Sequence, residues 1–267
     1  MPAKSFRSVI ILSAVSGMMA LNHRAAANSV LLNDQFTSDT TLNTSLWQLN
    51  GPLATTAGED LSSPLSTIIR PQLSFSGSTG MDMLMSVNAG PGAAPVYEAD
   101  MISSVQSFNE PFCAQAAVTG IVAHGNAFVF MVCNASDSAS VEILGNINPA
   151  NGPYYGIQEE QNSNQQLINL VSNPSVGTPY DLSIGVGADG DTTLGVRSDS
   201  QMLATTTGNN LGAGPLYVLF GQLEGYPYTA GNNEAQWRDV MVATPEPSGL
   251  LPLAIGSLGL ARRRRRN

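Results

Sequence analysis

Between residues 28 and 244 no stretch keeps a helical period; short runs rich in β-branched and aromatic residues recur instead, with Gly, Pro, Asn and Asp between them. The runs are Val30 to Phe36, Thr67 to Phe75, Met81 to Val87, Val96 to Val105, Ala116 to Val122, Ala127 to Val132, Ser140 to Leu144, Tyr154 to Glu159, Gln166 to Val171, Tyr180 to Val186, Thr192 to Arg197, Leu216 to Phe220 and Gln236 to Val242. So many short runs, spaced by turn residues, predict an all-β, two-sheet antiparallel sandwich. No fixed period links them, which argues against a solenoid or propeller.

The two ends do not share this pattern. Residues 1–27 begin with Lys4 and Arg7, continue through an apolar run from Val9 to Leu21, and finish on Ala25, Ala26 and Ala27. That order is the layout of a secretory signal peptide cleaved after Ala27, so the chain is expected to enter the Sec export machinery. Residues 245–267 hold Pro245, Glu246 and Pro247, an apolar stretch from Gly249 to Ala261, and the block Arg262 to Arg266. As a helix the apolar stretch reaches about 20 Å, short of the roughly 30 Å hydrocarbon core, so it is a marginal span. The arginines after it read as a cytoplasmic flank, which puts the body on the far side of the inner membrane.

This tail resembles the sorting tail of the PEP-CTERM proteins of Gram-negative bacteria, though Pro252 interrupts an apolar part shorter than the family's. The resemblance implies recognition by an exosortase-type membrane protease, cleavage at or near Pro245-Glu246-Pro247, transient inner-membrane association, and delivery to the cell surface or an exopolysaccharide matrix. Retention by an uncleaved tail is the competing reading. The expected organisation is therefore 1–27 leader, 28–244 sandwich domain and 245–267 sorting tail.

Setting the ends aside changes the charge. The whole chain carries 20 acidic and 11 basic residues, but of the basic ones only Arg70, Arg197 and Arg238 belong to the body. Nineteen acidic residues remain there, a net of −16 with no lysine. Such a surface repels nucleic acid and anionic polymers; neutral glycans and divalent cations stay open as partners. Cys113 and Cys133 are the only cysteines and flank two runs that meet around His124-Gly125-Asn126. Read as a hairpin, those runs bring the thiols together, and an oxidising compartment favours a disulfide adding up to about 3 kcal/mol. Metal ligation is the alternative, disfavoured because no histidines cluster nearby.

Asp34-Gln35-Phe36, Leu46-Trp47, Phe128-Val129-Phe130, Tyr180 to Ile184 and Trp237 to Val240, in that order, resemble the concanavalin A-like, laminin G-like jelly roll of lectins and glucanases. An immunoglobulin-like or other sandwich is the alternative. The resemblance implies that first and last strands lie side by side, which makes Asp34 and Asp239 candidate ligands of a structural calcium; solvated carboxylates are the plainer reading. Laminarinase-like glucanases of this fold use a Glu-x-Asp-x-x-Glu or Glu-x-Asp-x-Glu run. Glu98-Ala99-Asp100 starts one, but Ile102 and Ser103 stand where the second glutamate belongs, so Glu98 and Asp100 are catalytic candidates without their partner. Glu110 or Glu159 would have to supply it.

Gly185-x-Gly187-x-x-Gly190 has the spacing of a dinucleotide fingerprint, but the β-rich run at Thr192 follows where a helix should, so it reads as a strand ending in an Asp189-Gly190 turn. With His124 the only body histidine, a serine triad or histidine-rich zinc site is disfavoured. Trp47 and Trp237 read as core. Tyr154, Tyr155, Tyr226 and Tyr228 stand beside Gly and Pro and are the candidates for stacking on sugar rings. Taken together, the sequence points to an exported surface or matrix protein, more a binder of extracellular polysaccharide than an enzyme. A jelly-roll glycoside hydrolase with an unrecognised carboxylate pair is the alternative.

Overall fold

The computed structural model describes residues 29–49, 66–77, 79–89, 98–123, 126–135, 139–150, 155–161, 168–224 and 230–244. The expected leader and sorting tail lie outside the described residues. Within them the chain forms fifteen strands: β1 Val30–Gln35, β2 Trp47–Leu49, β3 Ser66–Ser76, β4 Gly80–Ala89, β5 Glu98–Ser104, β6 Phe112–Val122, β7 Asn126–Asn134, β8 Ser140–Asn146, β9 Gly156–Gln161, β10 Ile168–Val171, β11 Pro179–Val186, β12 Thr192–Ser198, β13 Gln201–Gly208, β14 Leu216–Glu224 and β15 Ala230–Ala243. Each of the thirteen runs read from the sequence contains a strand among the described residues.

The strands build two antiparallel sheets. Sheet A has the order β13-β12-β11-β6-β15-β4-β3, with β1 also paired to β15. Sheet B has the order β10-β9-β8-β7-β14-β5-β2. Alternation along each strand decides which side chains meet between the sheets. On β11 Tyr180, Leu182, Ile184 and Val186 are buried inward; on β7 it is Phe128, Phe130 and Val132. Phe220 of sheet B touches Trp237 of sheet A, with ring centroids 4.9 Å apart, and stands edge-on to Trp47 at 5.0 Å. Both tryptophans are fully buried, as a core role requires.

One pairing differs from the sequence reading. β6 and β7 are not a hairpin: β6 lies between β11 and β15 in sheet A, and β7 between β8 and β14 in sheet B. The two strands therefore belong to facing sheets. Amphipathic alternation is the same whether the next strand pairs alongside or crosses to the facing sheet, so the pattern could not separate the two.

Local chemistry fixes several turns. β12 and β13 are joined through Asp199 and Ser200, both at positive φ (49° and 66°), the two-residue turn whose twist matches a right-handed strand pair. β11 ends at Val186 and β12 begins at Thr192 around Gly190 at φ 83°, so the glycine-spaced segment is a strand, turn and strand as expected. On β8 Gly145 stands opposite Phe128, and a Cβ there would fall on that ring. Gly145→Ala should therefore destabilise the full chain by about 1–3 kcal/mol, read as a lower urea midpoint, because the buried ring has to leave its place.

Candidate functional site

β1 and β15 lie side by side, so Asp34 and Asp239 do become neighbours, but on opposite faces. Asp34 pairs with Val240 and Gln35 with Asp239, and a one-residue offset reverses the side a residue faces. Asp34 points inward, is buried, and its Oδ2 accepts the Trp47 Nε1–H at 2.7 Å. Burial raises its pKa to about 6; the Trp47 bond opposes the rise and the neighbouring Asp39 carboxyl adds to it. Asp239 stands on the outer face of sheet A. The two do not converge on one cation, and among the described residues no group of three or more His, Cys, Asp or Glu could hold a metal ion.

The disulfide expectation is also corrected: Cys113 and Cys133 form no disulfide. Cys113 alternates with Phe112 and Ala114 of the core and so faces outward from sheet A, where Gln115 Nε2 donates to its Sγ at 3.6 Å. Burial pushes its thiol pKa up. Cys133 alternates with Val132 and faces outward from sheet B. Two sheets packed about 10 Å apart separate them, beyond the roughly 7 Å Cα separation that a disulfide tolerates.

The outer face of sheet B spans seven strands. Its middle is apolar: Met101, Val129, Met131, Cys133, Leu144 and Leu219 form a second buried cluster, with Tyr217 packed against it. On β8 the outward positions run Ser140, Glu142, Leu144, Asn146. Ser140 Oγ donates to Glu142 Oε1 at 3.3 Å, and Asn146 Oδ1 accepts the Asn148 N–H at 3.2 Å. A glucanase-spaced run beginning at Glu142 would need carboxylates at 144 and 146 and meets leucine and asparagine. In the sequence Glu142 stands on a strand beside the aromatic β7, but Glu98-Ala99-Asp100 is the fuller match to the glucanase run. Positions 98 and 100 pair with Glu224 and Gln222 on β14, in sheet B but off β8.

The other candidates are dispersed. Glu159 is fully buried on β9, where its strand neighbours are Ile143 and Ile168. Glu110 Oε1 accepts the Gly214 N–H at 3.3 Å, fastening one loop to another. Tyr155 donates its hydroxyl to Pro174 O at 2.8 Å and is half-buried, so its polar end is already used in the fold. Tyr154, Tyr226, Tyr228 and His124 lie outside the described residues.

What the sequence did not single out is the row across the outer face of sheet A. Arg197, Asp181, Ala117, Asp239 and Gln35 are successive register partners on β12, β11, β6, β15 and β1. The extra residue at the β15 register shift is Arg238. Desolvation raises the pKa of Asp181, held back by Arg238 and Arg197; it raises that of Asp239 too, held back by Arg238 and reinforced by Asp181. Two of the three body arginines thus stand with two carboxyls around the small Ala117. Long-range strand order assembles this row, and nothing in local spacing announces it.

Solved structures of other proteins share this architecture. The GlcNAcα1-4Gal-releasing endo-β-galactosidase from Clostridium perfringens superposes with a TM-score of 0.54 at 9% identity, over 82% of this chain and 63% of that one, so this chain spans under two thirds of its length. The winged bean acidic lectin, in complex with methyl-α-D-galactose, superposes at 0.50 and 10% identity over 80% and 98%. An uncharacterised protein from Mycobacterium paratuberculosis gives 0.51 and 10% over 79% and 99%. The fold is the concanavalin A-like jelly roll shared by lectins and glucanases. No protein family and no curated protein matches the sequence.

Two measurements check this site description. Because the Asp34 pKa is raised on folding, its favourable protonated state is intact below its unfolded value near 3.8 and is lost as pH rises through about 6. Asp34→Asn, which keeps an acceptor for Trp47 without the charge, should gain on the order of 1–2 kcal/mol at neutral pH and flatten the stability profile between about pH 4 and 6. Unfolded without reductant, the full chain should take up two equivalents of an alkylating agent; none would show a Cys113–Cys133 disulfide.

Proposed function

We propose that this protein is an exported, non-catalytic component of the cell surface or exopolysaccharide matrix, delivered as an exosortase-type substrate, whose jelly roll binds extracellular polysaccharide. The observation that carries the non-catalytic part is the outer face of sheet B. Its β8 run offers Glu142 but Leu144 and Asn146 after it, on an apolar floor of methionine, valine and leucine. Retaining and inverting glycosidases both need a second carboxyl group across the scissile bond, and this run lacks it. The destination rests on residues 1–27 and on the order Pro-Glu-Pro, apolar stretch, arginine block at 245–267. The polysaccharide part is supported by the fold, seen in a lectin bound to a galactoside and in a glycan-cleaving enzyme, and by a −16 body that favours neutral ligands.

A second reading, a jelly-roll glycoside hydrolase with an unfamiliar carboxylate pair, has one observation of its own. Asp181 and Asp239 flank Ala117 in one row, two strand spacings or about 10 Å apart, near the separation of an inverting pair.

The secreted protein should bind a neutral polysaccharide in a pull-down and glycan array, with no new reducing ends released. Absence of any binding would leave a purely structural role. Hydrolysis that disappears in Asp181→Asn or Asp239→Asn would establish the second reading instead. Replacing Pro245 and Pro247 by alanine should leave the protein in the membrane fraction, whereas unchanged release would remove the exosortase step.

A further inference from the structure

A sheet edge offers unpaired backbone groups to any other strand, and proteins that stay apart blunt their edges by shortness, charge, proline or bulges. Most edges here are blunted in those ways. β2 has three residues, and β10 has four with a register shift between Asn169 and Val171. β3 carries Arg70 and Pro71 at the register shift between Ile69 and Gln72. β1 has a shift between Val30 and Leu32, and Gln106 Nε2 donates to its Leu31 carbonyl at 2.9 Å.

β13 is the exception. It has eight residues, its only neighbour in sheet A among the described residues is β12, and it holds no charged residue and no proline. Its one register shift lies near its start; from Ala204 to Gly208 it runs in unbroken register with Val196 to Thr192. Exposure alternates along its length, with Leu203, Thr205 and Thr207 open. β10 packs against β13, so these edges of the two sheets lie together on one flank.

We propose that two copies of this chain join β13 to β13, antiparallel about a two-fold axis, so that the two A sheets run on as one. Charge supports a second copy as the occupant. Bodies of net −16 repel each other over most approaches, and a strand without ionisable side chains is a place where two can touch with little added cost. With the axis at Thr205, that threonine stands opposite its own copy and Leu203 opposite Thr207 on the same face, so threonine at the seam supplies favourable cross-strand pairs. Symmetry supports it too: pairing β13 to a different edge would be head-to-tail and open-ended, whereas self-pairing closes at two. The other edges are the blunted ones.

The test uses the full chain at micromolar concentrations, with mass measured by light scattering and amide exchange read by strand. The expected mass is that of two copies, and exchange at 201–208 should slow as concentration rises while β12 stays unchanged. Leu203→Lys with Thr205→Lys puts four positive charges across the axis and should weaken association at least tenfold; its thermal transition should lose the concentration dependence of the wild type and match that of the wild type diluted to monomer. A wild-type monomer, a dimer whose β13 exchange ignores concentration, or a dimer that survives the double substitution would each overturn the proposal. Should the double variant fail to fold, the wild-type exchange measurement decides it.

Discussion

The sandwich depends on one aromatic junction. Phe220 comes from sheet B, Trp237 from sheet A, and Trp47 and Phe36 from the segment that opens the domain; all lie within ring contact of Phe220. Each aromatic buries a large apolar area, and tilted or edge-on contacts add to that burial. Because the rings come from both ends of the domain, the junction closes the fold only when the chain has returned to its start. Asp34 belongs to it through the Trp47 indole, which explains a carboxyl group tolerated almost out of water: its hydrogen bond offsets part of the desolvation that raises its pKa.

The two outer faces divide along the same principle. Sheet B spends its outside on a second apolar cluster, so its middle strands are buried on both faces and leave Glu142 beside hydrophobic neighbours. Sheet A keeps its outside polar and gathers there two of the few arginines the body has. The arginines lower the pKa values of Asp181 and Asp239 that desolvation raises, which lets an acidic protein hold two carboxyls near one another. The charge balance therefore matters locally as well as overall: only the loss of both arginines would leave that row with repulsion alone.

Strand existence was legible because it is a local property of period two. The strands not legible were β2 and β13, for different reasons. β2 is three residues long. β13 reads as a polar loop because an edge strand buries only half of one face, and its turn through Asp199 and Ser200 uses no glycine. Partner choice was not legible in the alternation itself. Alternation in β6 and β7 is satisfied by a crossing between sheets as well as by a hairpin, and the cysteine expectation failed with that one choice. Asp34 and Asp239 show the finer limit: the neighbouring strands were foreseen, yet a register of one residue set the carboxyls on opposite faces. The Asp181 row needed five strands in order, information that no window of sequence contains.

Register also bears on how the body meets its surroundings. Thr244 N–H donates to Ser29 O at 3.0 Å, and Ser29 N–H to Thr244 Oγ1 at 3.1 Å, so the described chain begins and ends at one corner. In the sequence Pro245-Glu246-Pro247 follows Thr244 directly, with no spacer. On the proposed sorting route the protease would therefore work against a folded edge: an extended substrate needs free backbone, and the last residues of β15 are held by β1 on one side and β6 on the other. Processing would draw on fraying of that terminal corner, which costs little beside opening the sheet, because end residues carry few buried contacts. The aromatic junction, anchored at Trp237 well upstream of Thr244, can stay closed while the corner opens.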